Sequence, residues 1–292
     1  MATTAPFPVF VLSFFLVGFG ASFNLALGNV FCGSLRQGTS MLGVMHAAYG
    51  AGASLGPLLA GVIVRSEWGW PGYYLGLLGL TLSSAVIAAL AFRESEEEVV
   101  AGGDGVESKH DLQGMFTAVS TGVVLMGALF MCAYRGVEVS TSTSARSGGS
   151  GLVFWVGITV GRLLLWAPAW KLDDRQVVYV AVVGAAVFEG LIFMVPSKIS
   201  DTAALAVVGL LLGPAYPCAT AVFMRSMGIH ERVGGISVIS AFGSSGGAAA
   251  PFTVGVLAEL VGPAVLHPIT IALCGVMMSC WYGLPKRPKR AE

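Results

Sequence analysis

The chain has 292 residues, of which 55% are hydrophobic and only 11% are charged, against roughly 25% charged residues in a soluble domain. With a mean hydropathy of +0.79 it belongs in a lipid bilayer rather than in water. Sixteen Lys and Arg balance sixteen Asp and Glu, so there is no basic excess to neutralise phosphates and no acidic excess to keep the chain disordered, which excludes nucleic acid as a partner.

A bilayer core about 30 Å thick takes about 20 apolar residues in a helix. Nine segments meet that length, at 8–32, 41–64, 71–92, 114–138, 151–170, 176–196, 202–224, 233–260 and 264–284. The first opens without a basic region and stays apolar to Phe31, which predicts a span rather than a cleaved leader. After the third span comes the longest polar stretch, RESEEEVVAGGDGVESKHDLQ, read as a solvated cytoplasmic linker over 93–113. The predicted organisation is therefore all-α and polytopic: a three-span bundle over 1–92, the linker, a six-span bundle over 114–285 and a basic tail over 286–292. Sorting Lys and Arg onto alternate sides puts Arg135 on the poorer side and the C-terminal KRPKR on the richer, cytoplasmic one, with the N-terminus outside. The five cysteines form no CxxC pair, so neither a disulfide frame nor a metal site is expected.

Spacing between distant spans repeats. Gly52, Pro57, Gly61 and Val62 in span two recur as Gly246, Pro251, Gly255 and Val256 in span eight, and spans one and seven share Val-Gly and Val-Phe pairs at a similar offset. The first three spans thus read as a copy of the last three. In a protein of two six-span halves, this chain would hold the last three spans of one half and all of the other.

Ionisable and polar groups inside spans are costly and mark function by default. His46 shares a helical face with Tyr49, Gly50 and Ala53, suited to binding a solute, relaying a proton or simply bonding a neighbouring helix. Tyr134 and Glu138 stand i, i+4, a phenol and a carboxylate on one side of span four, where Glu138 either meets a hydroxylated solute or caps the helix. Trp155, Thr159 and Arg162 share a face of span five; Arg162 would clamp a carboxylate or pair with Glu189 of span six. Glu259 near the end of span eight is expected to snorkel. The Gly52–Gly56, Gly72–Gly76 and Gly209–Gly213 pairs would let backbones approach, and Gly56-Pro57 and Gly246 with Pro251 would bend or gate their helices. HExxH and GxxxxGK are missing, and no GxSxG stands at a strand-to-helix elbow, so no enzyme activity and no cofactor are expected.

The stretches PFPVFVLSFFLVGFGASF, LGVMHAAYGAGASLGPLLAG, YRGVEVS, FWVGITVGRLLL, LLGPAYP and ISAFGSSGGAAAPFTVGVLAELVGPAVLHPI resemble fungal major facilitator superfamily transporters of the fucose-permease-like group, in order and over nearly the whole chain. The resemblance implies two six-helix bundles around a central cavity, with this chain beginning near the fourth helix. It also implies alternating-access transport of a small polar, sugar-like solute, proton-coupled or not, through a multi-pass protein of the plasma membrane or an organelle. The candidate solute contacts are Asn24, His46, Tyr49, Tyr134, Glu138, Trp155 and Arg162. Two departures stand out: ASFNLALGN offers Asn24 and Asn29 where the family commonly has a carboxylate, and STSTSARSGGSG follows Glu138 in place of a Gly-Gly-Trp segment. A shortened, non-transporting paralogue remains an alternative, as does a proton-coupled efflux antiporter suggested by the Gly-Pro segment of span two.

Overall fold

In lipid every backbone N–H and C=O must be satisfied within its own segment, so apolar runs of this length become helices. The computed structural model describes residues 6–93, 121–144, 150–165, 172–195, 197–228 and 231–285. They form α1 (Phe7–Ser34), α2 (Gly38–Val64), α3 (Gly69–Ala91), α4 (Gly122–Ser144) and α5 (Ser150–Leu164), then α6 (Asp174–Met194), α7 (Lys198–Leu212), α8 (Ala215–Ser226), α9 (Arg232–Val261) and α10 (Leu266–Gly283). A 3-10 turn at Pro263–Val265 leads into α10, and no strand occurs among the described residues. Among the described residues, eight segments are long and apolar enough to cross a membrane, α7 and α8 counting together as Ile199–Ser226, and α5 is a shorter apolar helix. The all-helical, multi-pass expectation is met.

Two spans differ from their predicted form. The fourth runs on to Ser144, because its Ser/Thr-rich end folds back on the helix: Ser142 and Thr143 donate to the Val139 carbonyl at 3.0 and 2.9 Å. Glu138 is therefore no terminal cap, and Arg135, sorted above onto the poorer side, lies well inside the helix. The seventh span is broken at Gly213-Pro214, where the proline has no N–H to continue the ladder. The linker, the start of span four at 114–120 and the basic tail lie outside the described residues.

The described residues divide into two compact units, one of 6–21 with 55–93 and the other of 22–54 with 121–285. In the first, Phe10 packs edge-on against Trp70 and Tyr74 at 5.9 and 6.3 Å between ring centroids. No residue of α3 is buried, and its Leu, Val and Ile side chains point outward, as a lipid-facing helix requires.

In the second unit, Phe130, Phe223 and Trp281 meet at 5.2–5.9 Å to form an aromatic core between α4, α8 and α10. Helices α5 and α7 touch backbone to backbone: a Cβ on Gly213 would lie 2.5 Å from the Ile158 carbonyl oxygen and 3.0 Å from the Arg162 nitrogen, and Gly157, Gly161 and Gly209 are equally tight. That contact fixes the depth and rotation of Arg162. The start of α2 is held by Ser40, which donates to the Leu165 carbonyl at 3.0 Å, and by Thr39, which donates to Asp174 at 3.0 Å; Asp174 also pairs with Arg225. The prolines of the repeat, Pro57 and Pro251, both stand inside helices, each nineteen residues past the helix's first residue.

Candidate functional site

Along α2 the buried residues are Leu42, Gly43, His46, Ala47, Gly50 and Ser54, a single stripe at helical spacing. His46 leads the polar part of it. Its Nε2 donates to Asn29 Oδ1 at 3.0 Å, and Asn29 Nδ2 donates to Ser240 Oγ at 3.4 Å, so α1, α2 and α9 are joined by one chain of hydrogen bonds. The Tyr216 ring lies 4.4 Å from the His46 ring and 5.5 Å from that of Tyr134, whose hydroxyl donates to the Leu212 carbonyl at 3.1 Å.

Beside this chain stands a charged cluster. Arg162, 1% exposed, donates from Nη1 to the His46 carbonyl at 2.9 Å and from Nη2 to Glu138 Oε1 at 2.7 Å. The second oxygen of Glu138 pairs with Arg135, which also donates to the Tyr49 hydroxyl at 3.3 Å. Gly50 makes room for this: a Cβ there would meet Thr159 Oγ1 at 2.5 Å and Arg162 Nη1 at 3.4 Å. A guanidinium at the centre of a span costs roughly 2.5–3.5 kcal/mol to insert; in this cluster one buried carboxylate is shared by two guanidiniums inside helices. Tyr49 is half exposed, and its ring lies 6.0 Å from that of Trp155 and 5.6 Å from the Arg135 guanidinium carbon, so the cluster has a buried end at Arg162 and an open, aromatic end at Tyr49.

Six of the seven predicted contacts, His46, Tyr49, Tyr134, Glu138, Trp155 and Arg162, thus meet in one place. Asn24 is exposed, five residues before the buried Asn29, and takes no part in the contacts described above. The expected pairing of Arg162 with Glu189 is corrected: Arg162 binds Glu138, while Glu189 accepts from Thr141 at 3.3 Å and from His267 Nδ1 at 2.7 Å. Glu259 is exposed. Gly246 packs against the Cys132 backbone, Gly56 lies 3.9 Å from the Tyr73 hydroxyl by its would-be Cβ, and a Cβ on Gly52 would meet nothing within 4 Å. Arg135, Asn29, Tyr216, Ser240 and His267 were not among the predicted contacts; of these, Arg135, three residues before Glu138, carried a local signal. Among the described residues, no three His, Cys, Asp or Glu side chains stand together to hold a metal, and all five cysteines are free.

A family model described as Major Facilitator Superfamily matches residues 1–251. The chain belongs to the major facilitator superfamily. Members of this superfamily are membrane transporters, so a multi-pass protein of the bilayer that handles a small-molecule solute is the general setting for the cluster. The chain is also similar to Bypass of stop codon protein 6 of Saccharomyces cerevisiae (strain ATCC 204508 / S288c), with 27% identity over 340 aligned positions that cover 99% of this chain and 67% of the yeast protein. Both matches extend across the helices that supply His46, Glu138 and Arg162, which places the buried charges in a superfamily transporter.

Proposed function

We propose that this protein is a secondary transporter that moves a small polar, sugar-like organic solute by alternating access, in the plasma membrane, with the cluster around Arg162, Arg135 and Glu138 as its binding site. The observation that carries the reading is a fully buried carboxylate shared by two guanidiniums, opening through Tyr49 and Trp155, in a superfamily of transporters. The phenols of Tyr134 and Tyr49, the imidazole of His46 and the Asn29 amide offer donors and acceptors suited to hydroxyl groups. The fucose-permease-like motifs favour the same class of solute. Pro57 and Pro251 would be bending points in the helices that change conformation during the cycle.

Proton coupling has its own support. Glu189 is fully buried, and His267, whose side chain is 17% exposed, is its ion-pair partner among the described residues. From the neighbouring helices the groups that face it are Thr141 of α4 and Cys274 of α10, neither of them a cation at neutral pH. A buried carboxylate hydrogen-bonded to a single imidazole is a pair suited to carrying a proton.

Reconstitution into proteoliposomes tests both parts. Saturable uptake of a labelled sugar or sugar derivative is expected, with an inside-alkaline gradient accelerating it. Arg162→Gln should remove uptake while leaving the helical circular-dichroism signal intact; absence of uptake for every small polar solute tried would overturn the reading.

A further inference from the structure

The charges of the Arg162 cluster do not balance. Arg162 and Arg135 each place a guanidinium in α4 or α5, at 1% and 21% side-chain exposure, and Glu138 is the carboxylate both of them bind. No second carboxylate lies within ion-pair distance of either arginine among the described residues. The remaining groups around them are neutral or bound elsewhere: Tyr49, Tyr134, Tyr216, Thr159, Asn29, Ser240, and His46, whose Nε2 is engaged with Asn29. Arginine stays protonated in proteins. One uncompensated positive charge therefore remains in a buried site, where such a charge is expensive unless an anion joins it. The Nε of Arg162 is buried and makes no hydrogen bond, so part of that guanidinium's donor capacity is unspent.

We infer that the solute of this site is a small organic monoanion, a hydroxylated carboxylate, rather than a neutral polyol. This rests on the binding site proposed above and narrows its substrate class. The carboxylate meets the excess charge of Arg135 and Arg162, and the hydroxylated body lies towards Tyr49 and Trp155. A guanidinium matches a carboxylate with two parallel N–H donors, which no neutral hydroxyl can match in strength. Arg135 is the more exposed of the pair and bonds the half-exposed Tyr49, so it stands where an arriving solute would meet the cluster first.

D-gluconate and D-glucose are nearly the same size and differ in the carboxylate, so they separate the two classes. Thermal unfolding of the purified wild-type protein in detergent is followed by tryptophan fluorescence at fixed ionic strength, with gluconate, lactate, glucose, sorbitol and inorganic phosphate added separately. Gluconate is expected to raise Tm by a few degrees, saturably, while glucose and sorbitol do not. Arg135→Gln, which removes the excess charge, should weaken gluconate binding by about tenfold or more, and Arg135→Lys should recover part of it. Stabilisation by glucose or sorbitol with none by gluconate or lactate overturns the inference and leaves the proposed transporter intact. An equal effect from phosphate overturns the organic carboxylate, and failure of all five probes overturns both readings. Because the comparison of probes uses wild-type protein, it stands even where a variant does not fold.

Discussion

Glu138 holds two guanidiniums, and the two sides of that arrangement are not equally replaceable. Glu138→Gln leaves Arg162, at 1% exposure, and Arg135 without a counter-charge, which should cost about 3–5 kcal/mol, the usual penalty for orphaning a buried charge. Arg162→Met removes one guanidinium but leaves Glu138 bound to Arg135, so its cost should be clearly smaller. Unfolding of the two variants in detergent, side by side, checks the order; an Arg162→Met variant at least as unstable as Glu138→Gln would show that Arg135 does not hold the carboxylate. Much of this chemistry was legible residue by residue. Tyr134, Glu138, Trp155 and Arg162 stand out as polar groups in apolar spans, and helical spacing orients each of them. Their partners were not legible, because a pairing 24 residues apart depends on how α4 and α5 are rotated against each other, and Glu189 was an equally charged candidate for Arg162. Asn29, Tyr216 and Ser240 carry no charge to draw the eye, and only packing brings them to His46.

At the scale of elements, the contact of α5 with α7 decides where Arg162 sits. Gly213→Ala would drive a methyl group against the Ile158 carbonyl and the Arg162 amide, backbone atoms that cannot swing aside. Overpacking of this kind costs about 1–3 kcal/mol, and here it should also reduce solute binding by displacing Arg162. Gly52→Ala in α2 meets no described atom within 4 Å and should be neutral or slightly stabilising, by about 0.5–1 kcal/mol from the helix preference of alanine. Measured by thermal unfolding, equal effects at the two positions would mean that the close contact of α5 and α7 does not form. The sequence motif GxxxG is the same at Gly52–Gly56 and Gly209–Gly213, and only the second pair finds an opposing glycine face, Gly157 and Gly161. Hydropathy located the spans well because length and apolarity are local quantities. It did not register the break at Gly213-Pro214, which leaves the segment as apolar as before, nor the extension of α4 to Ser144, where hydroxyls bond their own helix rather than water.

For the whole molecule, the two proposals together fix the net charge moved per cycle. A monoanion at Arg135 and Arg162 accompanied by one proton at Glu189 and His267 crosses the membrane with no net charge. A potassium diffusion potential imposed with valinomycin should then leave gluconate uptake into proteoliposomes unchanged, whereas an inside-alkaline gradient should drive it. Each pH unit supplies about 1.36 kcal/mol per proton, enough for about tenfold accumulation of the anion. Glu189→Gln, which removes the carboxylate that pairs with His267, should abolish accumulation against a gradient yet leave exchange of labelled for unlabelled solute, since exchange needs the binding site but no net proton movement. Uptake that accelerates under an inside-negative potential would require more than one proton per anion, and a Glu189→Gln variant that still accumulates solute would place the proton elsewhere.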